Sequence, residues 1–108
     1  MTGADLFGAS LISASLSDAI LRDANLFSAN LTWTACHRTD FTGATLNHMN
    51  ASSASFTNAT LNFFEYAILI FANFERAVGK LSLRSQSNLL WNTTMPDGTV
   101  EKGPYIRN

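Results

Sequence analysis

Charge is scarce in this sequence: 14% of its 108 residues are charged and the formal net charge is −1, where a globular domain ordinarily devotes about a quarter of its residues to charge. Such a balance excludes a nucleic-acid binder held by a basic surface, so no direct contact with nucleic acid is expected. Cys36 is the single cysteine, which removes an intramolecular disulfide framework and a cysteine-rich zinc site. The two prolines, Pro96 and Pro104, both fall in the last stretch of the chain. No run of 18 apolar residues occurs, so no membrane span is expected. Met1-Thr2-Gly3-Ala4-Asp5 has neither the basic nor the apolar region of a secretion signal, and the expected location is cytoplasmic. The length allows one domain and excludes a two-domain enzyme with a cleft between its halves. What is abundant is narrow in kind: Ala, Leu, Ser, Thr and Asn fill 59 of the 108 positions.

That narrowness has a period. From Ala4 the chain reads in blocks of five: ADLFG, ASLIS, ASLSD, AILRD, ANLFS, ANLTW, TACHR, TDFTG, ATLNH, MNASS, ASFTN, ATLNF. The third residue of each block is Leu or Phe except at Cys36 and Ala51, and the first is Ala except at Thr34, Thr39 and Met49. A step of five turns a helical side chain by roughly 140°, which would scatter the leucines around the axis. On a continuous strand an odd period would send them to alternate faces. A short strand followed by a corner satisfies both constraints. The first and third residues point inward, the second outward, and the fourth and fifth turn; Gly8, Asp18, Asp23, Ser28, Gly43 and Asn58 are the residues such corners favour. One turn of such a coil cannot bury its own apolar face, so coils must stack.

Ala4-Asp5-Leu6, Ala24-Asn25-Leu26, Ala29-Asn30-Leu31 and Ala72-Asn73-Phe74 carry the A(D/N)LXX pattern, and here the chain resembles the pentapeptide-repeat family; Met95-Pro96-Asp97-Gly98-Thr99, just after the last repeat, is similar to the terminus of small cyanobacterial members. The resemblance implies an all-β, right-handed quadrilateral β-helix of about four to five coils, with one pentapeptide per side. Positions 20 apart then lie above one another. The inward columns become Leu6–Leu26–Leu46, Leu11–Leu31–Ala51, Leu16–Cys36–Phe56 and Leu21–Phe41–Leu61. Met49-Asn50-Ala51 exchanges large and small residues within one side, which conserves core volume. Cys36 reads as a small buried side chain, since a reactive thiol needs an exposed, electropositive setting.

The register breaks near 62–66. After Ala59-Thr60-Leu61 the next Ala-x-Leu is Ala67-Ile68-Leu69, so either two residues are missing from a side or three are inserted at a corner. The frame then runs through Ala72 and Ala77 and is expected again at Ser87-Asn88-Leu89. Residues 79–86 are degenerate, with Gly79 and Arg84 where Leu belongs, and are expected to bulge, because an unpaired buried Arg is prohibitive. The β-helix is thus assigned to 1–94. Residues 95–108, with a Pro96-Asp97-Gly98 turn signal, are expected to form a closing hairpin or tail over the last coil. The first coil lacks a cover. End-to-end homodimerisation through that end, a preceding domain, or closure by Met1 and Phe7 would each protect Leu6 and Leu11.

Catalytic chemistry finds no foothold. His37 and His48 occupy different columns with no third ligand in register, and the acids Asp5, Asp18, Asp23, Asp40, Glu65 and Glu75 are dispersed, so neither a metal site nor a carboxylate pair is expected. Asp18 lies under Arg38 and Asp23 beside Arg22, as exposed ion pairs worth about 0–1 kcal/mol each. No catalytic residue, cofactor or enzyme activity is expected. The informative residues are apolar ones at outward positions: Phe7 and Phe27, 20 apart and expected to stack, with Ile12, Ile20, Trp33, Phe63, Tyr66, Ile68, Ile70 and Phe71, and with Trp91 packing over one side. Of these, Phe7, Phe27, Ile12, Trp33, Phe63, Tyr66, Ile70 and Phe71 form the candidate surface for a protein partner. The expected function is a non-enzymatic interaction or scaffold module. The alternative that the family resemblance brings is a DNA mimic that binds DNA gyrase. Four and a half coils span roughly 22 Å, about six to seven base pairs, and with a net charge of −1 the fit is poor.

Overall fold

A computed structural model describes residues 2–62, 64–79, 83 and 87–106. The chain winds into stacked coils held by parallel pairing at the second position of each block. Asp5 bridges Asn25, Ser10 bridges Asn30, Ser15 bridges Ala35 and Ile20 bridges Asp40, and the same 20-residue step continues to Asp40 and Thr60. Each coil has four sides. The first is built from 4–8, 24–28, 44–48 and 64–66; the second from 9–13, 29–33, 49–53, 67–71 and 88–92; the third from 14–18, 34–38, 54–58, 72–76 and 93–97; the fourth from 19–23, 39–43, 59–62 and 77–79.

The corners explain the block. A β-turn closes every corner from Leu6–Ala9 to Phe56–Ala59, as where the Ala9 amide donates to the Leu6 carbonyl at 3.0 Å. Every fifth residue from Gly8 to Asn58 has φ between 57° and 75°, the left-handed region that the third residue of a type II turn requires. The second residue supplies the other half. The side-chain oxygens of Asp5, Asn25, Asn30, Asp40, Asn50 and Asn73 each accept the amide two residues on, at 2.9–3.2 Å. These Asx turns pin the start of the corner, which gives the D/N of the repeat a physical cause.

The break is a deletion. Asn50 bridges Ile68, Ser55 bridges Asn73, and β1 (Thr60–Leu61) pairs with β3 (Val78–Gly79), an 18-residue step in each case. Two corner residues are therefore lost between the fourth side of the third coil and the first side of the next. Phe64 falls where Leu46 lies one coil above, and is buried. Gly79 pairs with Leu61, and a Cβ there would collide with the Leu61 carbonyl oxygen. No inward leucine fits, so only glycine ends that side.

In the last coil the step becomes 21, where β2 (Ile68–Ile70) pairs in parallel with β4 (Leu89–Trp91). Here the sequence frame slips by one. Leu90, not Leu89, pairs with Leu69 and is the buried residue, and Asn88 takes the first position. Leu83 is buried; the rest of 80–86, Arg84 included, lies outside the described residues. The C-terminal stretch folds back antiparallel. β5 (Thr93–Thr94) pairs with β6 (Val100–Glu101), and β4 pairs with β7 (Tyr105–Ile106).

Inside, Leu21, Leu26, Leu31, Cys36, Phe41, Leu46, Phe56 and Leu61 are fully or nearly fully buried, as are Met49 and Ala51. Leu6, Leu11 and Leu16, placed with the core by the sequence, are only partly buried and pack on it from the first coil. The physical reason is that they line the first of the described coils and pack on the core from one face. Buried threonines are satisfied: Thr34 Oγ1 donates to the Leu31 carbonyl at 2.7 Å and Thr93 Oγ1 to that of Leu69 at 2.6 Å. Burial pushes the Cys36 thiol up to about 11, against a smaller opposing effect of its bond to Thr34. It stays protonated and inert at neutral pH.

Candidate functional site

Sorting the chain by side separates charge from aromatic surface. None of the five blocks of the second side contains Asp, Glu, Lys or Arg. The charged residues of the coils cluster instead at the far corners. Asp18, Arg38, Glu75 and Arg76 lie between the third and fourth sides, and Arg22, Asp23 and Asp40 on or beside the fourth. Asp5 sits on the first side and Glu65 at its edge. Asp18 binds Arg38 through two bonds of 2.6 and 2.9 Å, as the 20-residue rule requires. Arg22 does not pair with its neighbour Asp23. Its Nε donates to Asp40 Oδ2 at 2.6 Å, because a long side chain at the fourth position reaches the next coil more readily than the adjacent corner residue.

Asp40 also accepts from Thr42 Oγ1 and the Thr42 amide, and these bonds, the Thr42 hydroxyl foremost and then Arg22, hold its carboxyl down at about 2. Asp18 is lowered as well, chiefly by its bond to Arg38. Folded-state pKa values below the unfolded range give a stabilisation that is complete above about pH 4 and is lost as pH falls towards 2. Urea titrations at pH 5 and pH 2 are expected to show that fall. Asp40→Asn, which keeps the Asx acceptor, is expected to shrink it; an unchanged difference would show that Asp40 has no part in it.

The uncharged side lies between two aromatic corners. At the corner with the first side, Phe7 and Phe27 stack at 5.7 Å with planes 6° apart. The ladder continues to His48 at 4.8 Å and on to Tyr66 at 5.1 Å. Offset aromatic pairs of this kind contribute about 0.5–1.5 kcal/mol each beyond their buried area. The 20-residue rule would put Asn47 on the third rung. Asn47 is occupied otherwise, its Oδ1 accepting the Glu65 amide at 3.0 Å, and His48 enters from the fifth position. The sequence marks His48 only as a histidine with no third metal ligand in register, and gives no reason to place it among the rings. The signal that would have found it is Tyr66, 18 residues on. Because Phe7 stacks on this outer ladder and is 63% exposed, its ring does not fold over the open end of the first coil; Met1 lies outside the described residues.

The opposite corner carries Ile12, Trp33, Ile70, Phe71 and Trp91. Trp33 and Phe71 are 66% and 60% exposed, Ile12 and Trp91 are exposed, and Ile70 is half-buried beside Trp91. Trp91 is thus part of the fifth coil itself rather than a tail residue lying over a side. Ile68 continues the uncharged side at its centre, and Ile20 is exposed on the fourth side, away from the rest. Phe63 lies outside the described residues. His37 touches Ser55 Oγ at 3.4 Å on the third side, whereas His48 lies at the corner of the first and second sides. Among the described residues no three of His, Cys, Asp and Glu gather to hold a metal ion, and no helix is long and apolar enough to cross a membrane.

Comparison with known proteins places this architecture. A sequence model of pentapeptide repeats matches residues 1–35 and 36–63, in eight copies in all. Among solved structures, the chain is similar to HetL, a pentapeptide repeat protein involved in heterocyst differentiation regulation from the cyanobacterium Nostoc sp. strain PCC 7120, at 32% identity and a TM-score of 0.53, over 90% of this chain and 43% of that one. A pentapeptide repeat protein of the Arabidopsis thaliana thylakoid lumen matches at 27% identity and a TM-score of 0.57, over 93% of this chain and 67% of that one. Rfr23, from the cyanobacterium Cyanothece 51142, matches at 28% identity and a TM-score of 0.60, over 76% of this chain and 58% of that one. The chain therefore spans less than half the length of HetL and under two thirds of Rfr23. A search of curated proteins found no match. With its repeats matched over more than half its length and its coils stacked as described, the chain belongs to the pentapeptide-repeat family, whose members fold as right-handed quadrilateral β-helices.

Proposed function

We propose that this chain is a non-enzymatic protein–protein interaction module whose contact surface is the uncharged second side with its two aromatic corners. The observation that carries the reading is the coincidence of exposed rings and missing charge on one side of the solenoid. Large exposed apolar patches mark contact sites, and interface cores are depleted of charge and enriched in Trp, Tyr and Phe. HetL, the neighbour with a stated role, is involved in regulation, and a regulatory contact suits a surface without catalytic groups. DNA mimicry is not favoured, since Asp18 and Asp40 are each neutralised by an arginine one coil away, whereas a duplex mimic needs unpaired negative charge along its length.

The test is affinity capture from native cell extract with the unaltered chain and with Phe7→Ser/Phe27→Ser, followed by reconstitution with the purified partner. The variant is expected to lose the partner while keeping its circular dichroism spectrum. If a folded variant holds the same partners equally well, this side is not the contact surface.

A further inference from the structure

The second side also has a relief, and its relief fits itself. Its corner with the third side presents, coil by coil, Ser13, Trp33, Ser53, Phe71 and Asn92, each with φ between 48° and 63° and so each projecting from the same point of the turn. Small and large alternate. Trp33 and Phe71 stand two coils apart, roughly 10 Å at the spacing of parallel strands, with the half-buried Ser53 between them. That leaves a recess one coil wide between two projecting rings.

We propose that the second side is a self-complementary interface that takes a second copy of this chain, turned antiparallel about a two-fold axis between the second and third coils. This rests on the reading of the side as a contact surface and names its occupant. About that axis the second coil of one copy faces the third of the other, and the first faces the fourth. Trp33 enters the recess at Ser53, and Phe71 meets Ser13. Along the middle of the side Asn30 faces Asn50, an amide against an amide, and Ser10 faces Ile68, small against large. A two-fold interface must be self-complementary in this way. At the other corner Gly8 comes opposite Tyr66 and Ser28 opposite His48, again small against large.

Charge and area favour the same occupant. A side with no formal charge meets its own copy without like-charge repulsion, and offers nothing to steer or select a charged partner. The third and fourth sides, with their arginines and aspartates, would not. The four coils that pair about this axis, at about 4.8 Å each, and a side of five residues with its corner side chains, roughly 20 Å across, give on the order of 400 Å² of footprint, or about 800 Å² for two copies, the size of a weak, reversible association. Flat sheet faces pack about 10 Å apart, a gap that a projecting indole can span into a serine recess. Trp is also the residue type most often found to dominate such contacts.

Sedimentation velocity over a concentration series, from micromolar to millimolar, tests this on the full chain. The unaltered protein is expected to show a reversible monomer–dimer equilibrium. Ser53→Trp fills the recess and is expected to weaken dimerisation by at least tenfold, as is Trp33→Asp, which removes the ring. The doubly altered Trp33→Ser/Ser53→Trp exchanges ring and recess and is expected to restore the dimer, which a general loss of apolar surface could not do. Asn58→Trp, at the charged corner, is expected to leave it unchanged. A monomer at every concentration overturns the proposal, as does a dimer indifferent to Ser53→Trp and Trp33→Asp, which would instead place association at the open end of the first coil. If the chain is monomeric but Phe7→Ser/Phe27→Ser still releases a captured partner, the interaction reading stands and only the second copy is lost.

Discussion

Phe56→Ala is expected to cost about 3–5 kcal/mol, at the upper end of the range for removing a buried aromatic ring. Domains of this size are stable by about 5–15 kcal/mol, so the variant should melt some 12–40 °C lower at about 4–8 °C per kcal/mol. Phe56 is fully buried. It stacks on Phe74 at 4.8 Å with planes 3° apart and meets Phe41 at 6.0 Å. In a globular core neighbours can relax into a vacated volume. In this solenoid they cannot follow, because the coils are locked at their spacing by backbone bonds on every side. The Cys36 amide donates to the Ser55 carbonyl and the Phe56 amide to that of Asn73, both at 2.7 Å.

The residue one coil above sharpens the test. Cys36 is the smallest member of the column Leu16–Cys36–Phe56, and the bulk of Phe56 is what closes the core beneath it. Cys36→Leu alone overfills that space and is expected to destabilise by about 1–3 kcal/mol. Placed on the Phe56→Ala background it fills part of the cavity and is expected to stabilise. A change of sign between the two backgrounds, read by urea denaturation, is the signature of a shared volume. Equal effects in both would show that the two side chains do not compete for the same space.

Most of the coil was legible in the sequence because its information is local. The inward residue of each block depends only on its own corner, so a count in fives locates Leu21, Leu26 and Leu31 without any knowledge of what they touch. The deletion at 62–66 was visible as a fault but not as a choice. The spacing from Leu61 to Leu69 is the same whether residues are lost or added, and only the partner of Asn50 decides it. The one-residue slip that brings Leu90 inward in place of Leu89 was hidden for the same reason. Two adjacent leucines carry no alternation, and the insertion that shifts them lies among degenerate residues. At the candidate surface, Phe7 and Phe27 could be placed together by arithmetic, whereas His48 reached the ladder only because the fourth position of its block was taken by a bond to Glu65. Side-chain competition of that kind has no period. The missing charge on the second side was in the sequence throughout, and shows once the blocks are sorted by side rather than read in order.

Asn88 carries the second large effect. In every other corner described here with such a bond, the turn is closed by an amide donating directly to the carbonyl three residues back, as Ala72 does to Leu69 at 3.1 Å and Ala77 to Phe74 at 2.9 Å. Between Phe64 and Ala67, the corner that follows the deletion, the amide of Asn88 is inserted instead. Its Oδ1 accepts the Ala67 amide at 2.9 Å and its Nδ2 donates to the Phe64 carbonyl at 3.2 Å. A side chain from the fifth coil thus holds open a turn of the fourth and ties the two coils where the sheet has changed step. Asn88, Phe64 and Ala67 are all buried. Asn88→Leu keeps the branched shape and removes these two bonds, leaving a buried donor and a buried acceptor unpaired at about 1–3 kcal/mol each, so a loss of about 2–6 kcal/mol is expected. Asn88→Ala is expected to lose less, because the smaller residue lets the turn close on itself and the Ala67 amide find the Phe64 carbonyl. Hydrogen exchange separates this from a general loosening. In Asn88→Leu the Ala67 amide should lose its protection before the Ile68 amide, which donates to Met49 in the coil above. If the two amides lose protection together, or if Asn88→Ala proves the more damaging substitution, the side chain is packing the coil rather than bridging its turn.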